Sequence, residues 1–173
     1  MGKSILITGG ARSGKSQLAE GWVLAEPGTP FYIATCRAGD SEMEDRIARH
    51  QARRGTEWVT RQAPVDLITV LAETDGKGPR LIDCLTLWLA NLMEDGSDWQ
   101  TAATALAEAL PRQTSPVICV TNEVGLGIVP ENALSRRFRD AQGSVNQTIA
   151  RAADEVYLAV AGYHLKVKSN ANA

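Results

Sequence analysis

Gly9-Gly10-Ala11-Arg12-Ser13-Gly14-Lys15-Ser16 decides the reading of this chain, because it fits the pattern G-x-x-x-x-G-K-[ST]. Ser4-Ile5-Leu6-Ile7-Thr8 precedes it as a short apolar run with the character of a buried strand, and Lys15 to Ala25 follows with the character of a helix. A strand that feeds a helix through a glycine turn brings backbone N–H groups and the positive end of the helix dipole to one point, where an anion fits. Gly9 and Gly14 permit the tight turn and a close backbone approach. In this motif the lysine, here Lys15, reaches the β- and γ-phosphates, and Ser16 holds Mg2+. The stretch therefore predicts a site for a nucleoside triphosphate and its magnesium ion.

Working outward, short apolar runs alternate with helical patterns. Phe31 to Thr35, Arg80 to Cys84 and Val117 to Thr121 read as buried strands. Glu57 to Arg61 reads as a more polar extended segment. Helices are expected from Asp40 or Ser41 to Arg54, over Val65 to Ala72, Leu85 to Met93, Trp99 to Leu110 and Glu131 to Ala153. Val156 to Val160 and Leu165 to Val167 are closing strands. The alternation implies an α/β fold with a mostly parallel sheet and helices on both faces, as in P-loop NTPases. Residues just beyond the strand ends are then the ones placed to meet a ligand.

The chain has 173 residues, of which 44% are hydrophobic and 22% charged, enough for one domain with a full core. We assign residues 1–168 to that domain and 169–173 to a small polar tail that is expected to fray. Lys plus Arg number 18 against 20 Asp plus Glu, a balance that excludes a protein held to nucleic acid by phosphate attraction. No apolar run reaches the length of a membrane span, and the opening residues already belong to the first strand, so a cytoplasmic location is expected. Cys36, Cys84 and Cys119 are an odd count without metal spacing and are expected to be reduced structural thiols.

Among the strand-end residues, Asp83 can serve as the acidic partner of the phosphate loop, touching Mg2+, or as the N-cap of the helix that starts at Leu85. Asn122 and Glu123 leave the strand ending at Thr121 toward the same crevice, where crevice chemistry and turn chemistry are both open. His50 is one of only two histidines, and Arg46 and Arg53 lie one helical turn away on its face. That company suits a nucleophilic imidazole where phosphates arrive, and it equally suits a solvated basic helix face. His164 has no such neighbours and reads as structural.

Several segments together resemble one family. They are Ile7 to Ser16, Tyr32-Ile33-Ala34-Thr35, Glu42-Met43 with Arg46-Ile47 and His50, Asp83 to Leu89 with Asn91-Leu92, Thr121 to Asn132, and Arg137-Phe138-Arg139-Asp140 with Gly143 and Asn146-Gln147. The chain is similar to the bifunctional adenosylcobinamide kinase / adenosylcobinamide-phosphate guanylyltransferase family of cobalamin biosynthesis, from Ser4 to about Lys168. The resemblance implies two reactions. ATP or GTP phosphorylates adenosylcobinamide, and GTP then gives GMP to adenosylcobinamide phosphate through a guanylylated histidine, with release of pyrophosphate. The family's Arg-Ile-x-x-His pattern falls on Arg46, Ile47 and His50, which makes His50 the nucleophile. The nucleotide contacts it implies are Gly9, Gly10, Ala11, Arg12, Ser13, Gly14, Lys15, Ser16, Thr35, Cys36, Arg37, Gln51, Ala52, Arg53, Arg54, Gln62 and Asp83, with Ser16 and Asp83 at the metal. Lys15 joins His50 as a catalytic group, and the family implies a homotrimer.

The chain departs from the pattern at Gln62, where an acidic residue is usual. A carboxylate accepts two hydrogen bonds from a guanine edge, whereas an amide has one acceptor oxygen. Two further readings share the phosphate loop: a single-activity small-molecule kinase and a GTP-dependent switch. Release of pyrophosphate from GTP distinguishes nucleotidyl transfer from both.

Overall fold

A computed structural model of the chain describes residues 1–37 and 55–169. The helix expected from 40 to 54, with Arg46, His50, Gln51, Ala52, Arg53 and Arg54, lies outside the described residues, as does most of the tail.

The described strands are β1 (Ser4–Gly9), β2 (Phe31–Ala34), β3 (Val59–Gln62), β4 (Arg80–Asp83), β5 (Val117–Val120), β6 (Glu155–Val160) and β7 (Tyr163–Lys168). The helices are α1 (Lys15–Ala25), α2 (Leu67–Thr74), α3 (Leu85–Glu94), α4 (Trp99–Ala109) and α5 (Ala133–Ala152). One sheet holds all these strands in the order β3-β2-β4-β5-β1-β6-β7. Every neighbouring pair is parallel except β6 with β7, which form an antiparallel hairpin. The sheet is thus mostly parallel, as the alternation of strands and helices predicts, and only its last strand runs against the rest.

Side chains along a strand alternate between faces, and both faces here are apolar. Leu6, Ile33, Ile82 and Cys119 point to a cluster closed by Leu67 and Leu71 of α2, Leu85, Trp88 and Leu89 of α3, Leu106 of α4 and Val145 and Ile149 of α5. Their neighbours Ile7, Tyr32, Leu81 and Ile118 point the other way, against Ala19 and Val23 of α1. This double burial explains why β5 and the centre of β4, Leu81-Ile82, read as continuous apolar residues rather than as alternating ones.

The helix ends have local causes. The Asp66 carboxylate accepts from the Thr69 amide at α2, that of Asp98 accepts from Gln100 and Thr101 at α4, and the Asn132 side chain accepts from Leu134 and Ser135 at α5. Asn132 therefore starts α5 at Ala133 instead of Glu131. At the end of α4, Leu110–Arg112 tighten into a 3-10 turn that contains Pro111, so Leu110 falls outside the α-helix. None of the three cysteines forms a disulfide, and the thiols of Cys84 and Cys119 are buried. Burial pushes Cys84 up to about 11 and Cys119 up to about 12, which keeps both as inert thiols.

Candidate functional site

The phosphate loop occupies the carboxyl end of β1, near the middle of the sheet. Gly9 must be glycine, because a Cβ there would lie 2.3 Å from the backbone oxygen of Ala159 on the adjacent strand β6. Gly14 takes a left-handed conformation (φ 95°) as the N-cap of α1. No side chain caps that helix, and no acidic residue lies in its first turn. The terminal N–H groups of α1 are therefore left to a ligand, and nothing in the first turn opposes a negative charge there.

Lys15 is 6% exposed. Its Nζ donates to the Gly10 carbonyl at 2.6 Å and approaches the Ser13 hydroxyl at 3.4 Å, so the ammonium lies across the loop. Burial pushes the Lys15 pKa below the ordinary lysine value, against the opposing pull of Cys84 and Asp83. A largely buried ammonium lying across a phosphate loop is poised to take phosphate oxygens as acceptors. Arg12 is exposed at the rim with φ 55°, Ala11 is exposed beside it, and Ser16 is half-buried in the first turn of α1.

Asp83 ends β4, separated from β1 by β5 alone. Its Oδ2 accepts from the Tyr32 hydroxyl at 3.0 Å. The N-cap of α3 is Cys84, and it makes no side-chain capping bond, so the alternative reading of Asp83 as a helix cap fails. Its carboxylate remains at the crevice beside Lys15. The Ser16 hydroxyl and the half-buried Asp83 carboxylate are hard oxygen donors, a chemistry that fits Mg2+.

The other nucleotide candidates divide. Thr35 is fully buried, and its hydroxyl donates to the Cys84 carbonyl and accepts from the Cys84 amide, both at 2.8 Å. Asn91 donates to the Thr35 carbonyl at 2.8 Å, which ties the end of β2 to α3. Thr35 thus holds the Asp83–Cys84 corner in place. Cys36 is half-buried, with its thiol 3.4 Å from the Arg37 carbonyl. The Arg37 guanidinium forms a two-pronged ion pair with Asp95 at the end of α3. Gln62 is exposed at the carboxyl end of the edge strand β3.

Three features of the site escape a reading of the sequence. The Glu123 amide donates to the Gly9 carbonyl at 3.0 Å, pinning the segment after β5 to the phosphate loop. Gln142 and Asn146 of α5 bond the Thr121 hydroxyl, and Asn146 also donates to the Asn122 carbonyl, so α5 fixes that strand end. The hairpin turn at Ala161-Gly162 packs on the phosphate loop, with the Gly162 amide donating to the Ser13 carbonyl. Only the last leaves a trace in sequence: a small residue and a glycine between two alternating strands. The imidazole of His164 stands edge-on to Trp22 and Tyr157, with ring centroids 5.3 and 5.7 Å away, a packing role in agreement with its structural reading.

A phosphate loop between strand and helix, with an acidic strand end beside its lysine, defines a P-loop nucleotide-binding α/β protein. Solved structures support the fold. A protein from Pyrococcus horikoshii OT3 superposes with a TM-score of 0.57 at 11% identity, over 96% of this chain and 86% of that one. The P4 protein of bacteriophage phi6, in complex with ADP, superposes with a TM-score of 0.51 at 13% identity, over 94% of this chain and 52% of that one.

The chain belongs to the cobinamide kinase / cobinamide phosphate guanyltransferase family, whose model matches residues 5–167. It is 46% identical to the bifunctional adenosylcobalamin biosynthesis protein CobP of Pseudomonas aeruginosa, over 94% of this chain and 96% of that protein. It is 42% identical to the bifunctional adenosylcobalamin biosynthesis protein CobU of Salmonella typhimurium and 39% identical to that of Escherichia coli, each over 95% of this chain and 99% of the relative. The chain is accordingly an enzyme of a family that carries both a kinase and a guanyltransferase activity. No helix among the described residues is long and apolar enough to cross a membrane.

Proposed function

We propose that this enzyme phosphorylates the aminopropanol hydroxyl of adenosylcobinamide with ATP or GTP, and then transfers GMP from GTP to the product through a guanylylated His50. The observation that carries the reading is the Lys15 ammonium, buried inside the Gly9–Ser16 loop and facing Asp83, in a chain that matches the family along nearly its whole length. The loop amides and Lys15 hold the triphosphate and neutralise charge that grows on the transferring group. Ser16 and Asp83 would hold Mg2+, which supplies further neutralisation of phosphate charge when bound.

His50 would serve the second reaction. An imidazole nitrogen attacks the α-phosphorus of GTP, pyrophosphate leaves, and adenosylcobinamide phosphate then displaces the histidine to give adenosylcobinamide-GDP. Arg46, Arg53 and Arg54 would neutralise the phosphates around it, and Gln51, Ala52 and Gln62 complete the expected nucleotide contacts. The proposal extends to a homotrimeric assembly in the cytoplasm.

Intact-protein mass after incubation with GTP and Mg2+, wild type beside His50→Ala, tests the reading. An acid-labile gain of one GMP in the wild type alone supports it. No gain in either protein, with GTP binding intact, reduces the function to a plain kinase.

A further inference from the structure

The Asn122-Glu123 strand end has no part in the function described so far. β5 lies between β1, which carries the phosphate loop, and β4, which carries Asp83. Residues leaving β5 therefore emerge between Lys15 and the acidic strand end. Glu123 is the carboxylate there. Its amide is bound to the Gly9 carbonyl at 3.0 Å, which ties its backbone to the phosphate loop, and the residue is half-buried. Its Oε1 accepts from the Gly125 amide, which restrains the carboxylate. The backbone of this strand end is held again from behind, by Thr86 Oγ1 on the Asn122 amide and by Asn146 on the Asn122 carbonyl. A carboxylate held by one backbone amide, on a strand end whose backbone is tied to Gly9, Thr86 and Asn146, is positioned as a reacting group requires.

Kinase chemistry needs a proton acceptor. An alcohol attacks the γ-phosphorus well only as its O–H proton departs. Asp83 is poorly suited, since its Oδ2 already accepts from Tyr32 and it faces Lys15 on the metal side of the crevice. We propose that Glu123 is the general base of the kinase step. The assignment rests on the reading given under Proposed function. The substrate hydroxyl gives its proton to Glu123, its oxygen forms the new bond to the γ-phosphorus, and the bond from that phosphorus to the β–γ bridging oxygen breaks. The nucleoside diphosphate leaves with the electron pair, and Glu123 releases the proton to solvent. The GMP-transfer step makes no such demand, because its acceptor is already an anionic phosphate.

The test is Glu123→Gln, assayed separately for phosphorylation of adenosylcobinamide by ATP and for GMP transfer to pre-formed adenosylcobinamide phosphate. A general base predicts a fall in kinase kcat of about 10²–10⁴-fold, with ATP affinity held and a much smaller effect on GMP transfer. It also predicts that the acidic limb of the kinase pH profile, where rate falls as the carboxylate protonates, is lost in the variant. Glu123→Asp keeps the charge on a shorter arm and should recover part of the rate along with the acidic limb. Unchanged kinase kcat in Glu123→Gln overturns the assignment. So does an equal fall in both half-reactions with a lower Tm, which marks a role confined to the Gly125 turn. Should Glu123→Gln fail to fold, Glu123→Asp decides alone: wild-type kcat refutes a base, and reduced kcat with the acidic limb kept supports it. If the wild type leaves adenosylcobinamide unphosphorylated, the functional reading itself falls and the assignment with it.

Discussion

The amide of Gly162, at the tip of the β6–β7 hairpin, donates to the carbonyl of Ser13 in the phosphate loop at 3.0 Å. The contact is close on either side of that bond. A Cβ on Gly14 would come within 3.1 Å of the Gly162 Cα, and one on Gly9 would strike the Ala159 carbonyl. The hairpin tip is itself tightly wound, with Ala161 at φ 52° and Gly162 at φ 84°. The last two strands therefore act as a backstop that sets how far the phosphate loop can open.

That backstop separates two adjacent glycines. Gly9→Ala should lower Tm and weaken binding of an ATP analogue by roughly tenfold or more, since both the alanine and the strand it meets are backbone-fixed and about 1.4 kcal/mol suffices for that change. Gly10→Ala meets nothing within 4 Å and should leave Tm near the wild-type value. Thermal unfolding and calorimetric titration of the two variants check this. Equal Tm for both would mean the β6 contact is slack.

A second prediction concerns Arg80, whose side chain is fully buried at the start of β4. Its guanidinium pairs with Asp75 at 3.0 Å and donates to the carbonyls of Leu71 and Ser115. Burial works to raise the Asp75 pKa, but bonds from Ser115 and Thr114 and the charge of Arg80 outweigh it and hold the carboxyl below its ordinary value. Asp75→Ala strands a buried cation and should cost about 3–5 kcal/mol. Adding Arg80→Met should recover part of that loss, because the unpaired charge is then gone. Denaturant unfolding of the single and double variants measures both effects. A double variant less stable than Asp75→Ala would contradict the account.

The phosphate loop and the parallel sheet were legible because their signals are local. A short apolar run, a glycine turn and a helix occupy consecutive residues, and Val117 to Val120 is apolar on both faces. The boundaries of α4 and α5 were less so, since Pro111 and Asn132 compete with polar neighbours for the same ends. What stayed hidden was long-range. Arg37 follows β2 in sequence, yet it pairs with Asp95 because the end of α3 carries two carboxylates within its reach. Thr35 reads as the last residue of a buried strand, but it lies just past β2 and its hydroxyl is fixed by the backbone of Cys84, distant in the chain. His50, Arg46 and Arg53 stood out by their helical spacing, and the family pattern over Arg46, Ile47 and His50 chose the nucleophile reading; all of them lie outside the described residues.

Gln62 carries a prediction about base choice. It is exposed at the carboxyl end of β3, level with Ala34 of β2 and on the crevice end of the sheet. If this position reads the base, Gln62→Glu supplies a second acceptor oxygen and a charge, and a charged hydrogen bond contributes roughly 1.5–3 kcal/mol. The preference for GTP over ATP in the GMP-transfer half-reaction should then rise by about tenfold or more. Competition kinetics with the two nucleotides give the ratio. An unchanged ratio removes position 62 from base recognition.

Glu155 sets an acid-sensitive tie at the start of β6. Its carboxylate is paired with Lys3 at 2.9 Å and Lys166 at 2.8 Å, and the Tyr157 hydroxyl donates to it at 2.8 Å. Burial pushes its pKa up, but these hydrogen bonds, led by Lys166, overcome that and carry it from 4.5 to about 2. A folded-state pKa below the unfolded one means the carboxylate stabilises the fold fully above the unfolded value. That contribution fades as pH falls from about 4.5 toward 2. Because Lys166 lies on β7 and Lys3 just before β1, the same tie holds the hairpin against the strand that leads into the phosphate loop. Wild type should therefore be more stable than Glu155→Gln at neutral pH, by an amount that is flat down to about pH 5 and shrinks through the acid range. Paired denaturation curves across pH check this. A stability difference that does not narrow with acid would show that the ion pairs contribute nothing in water.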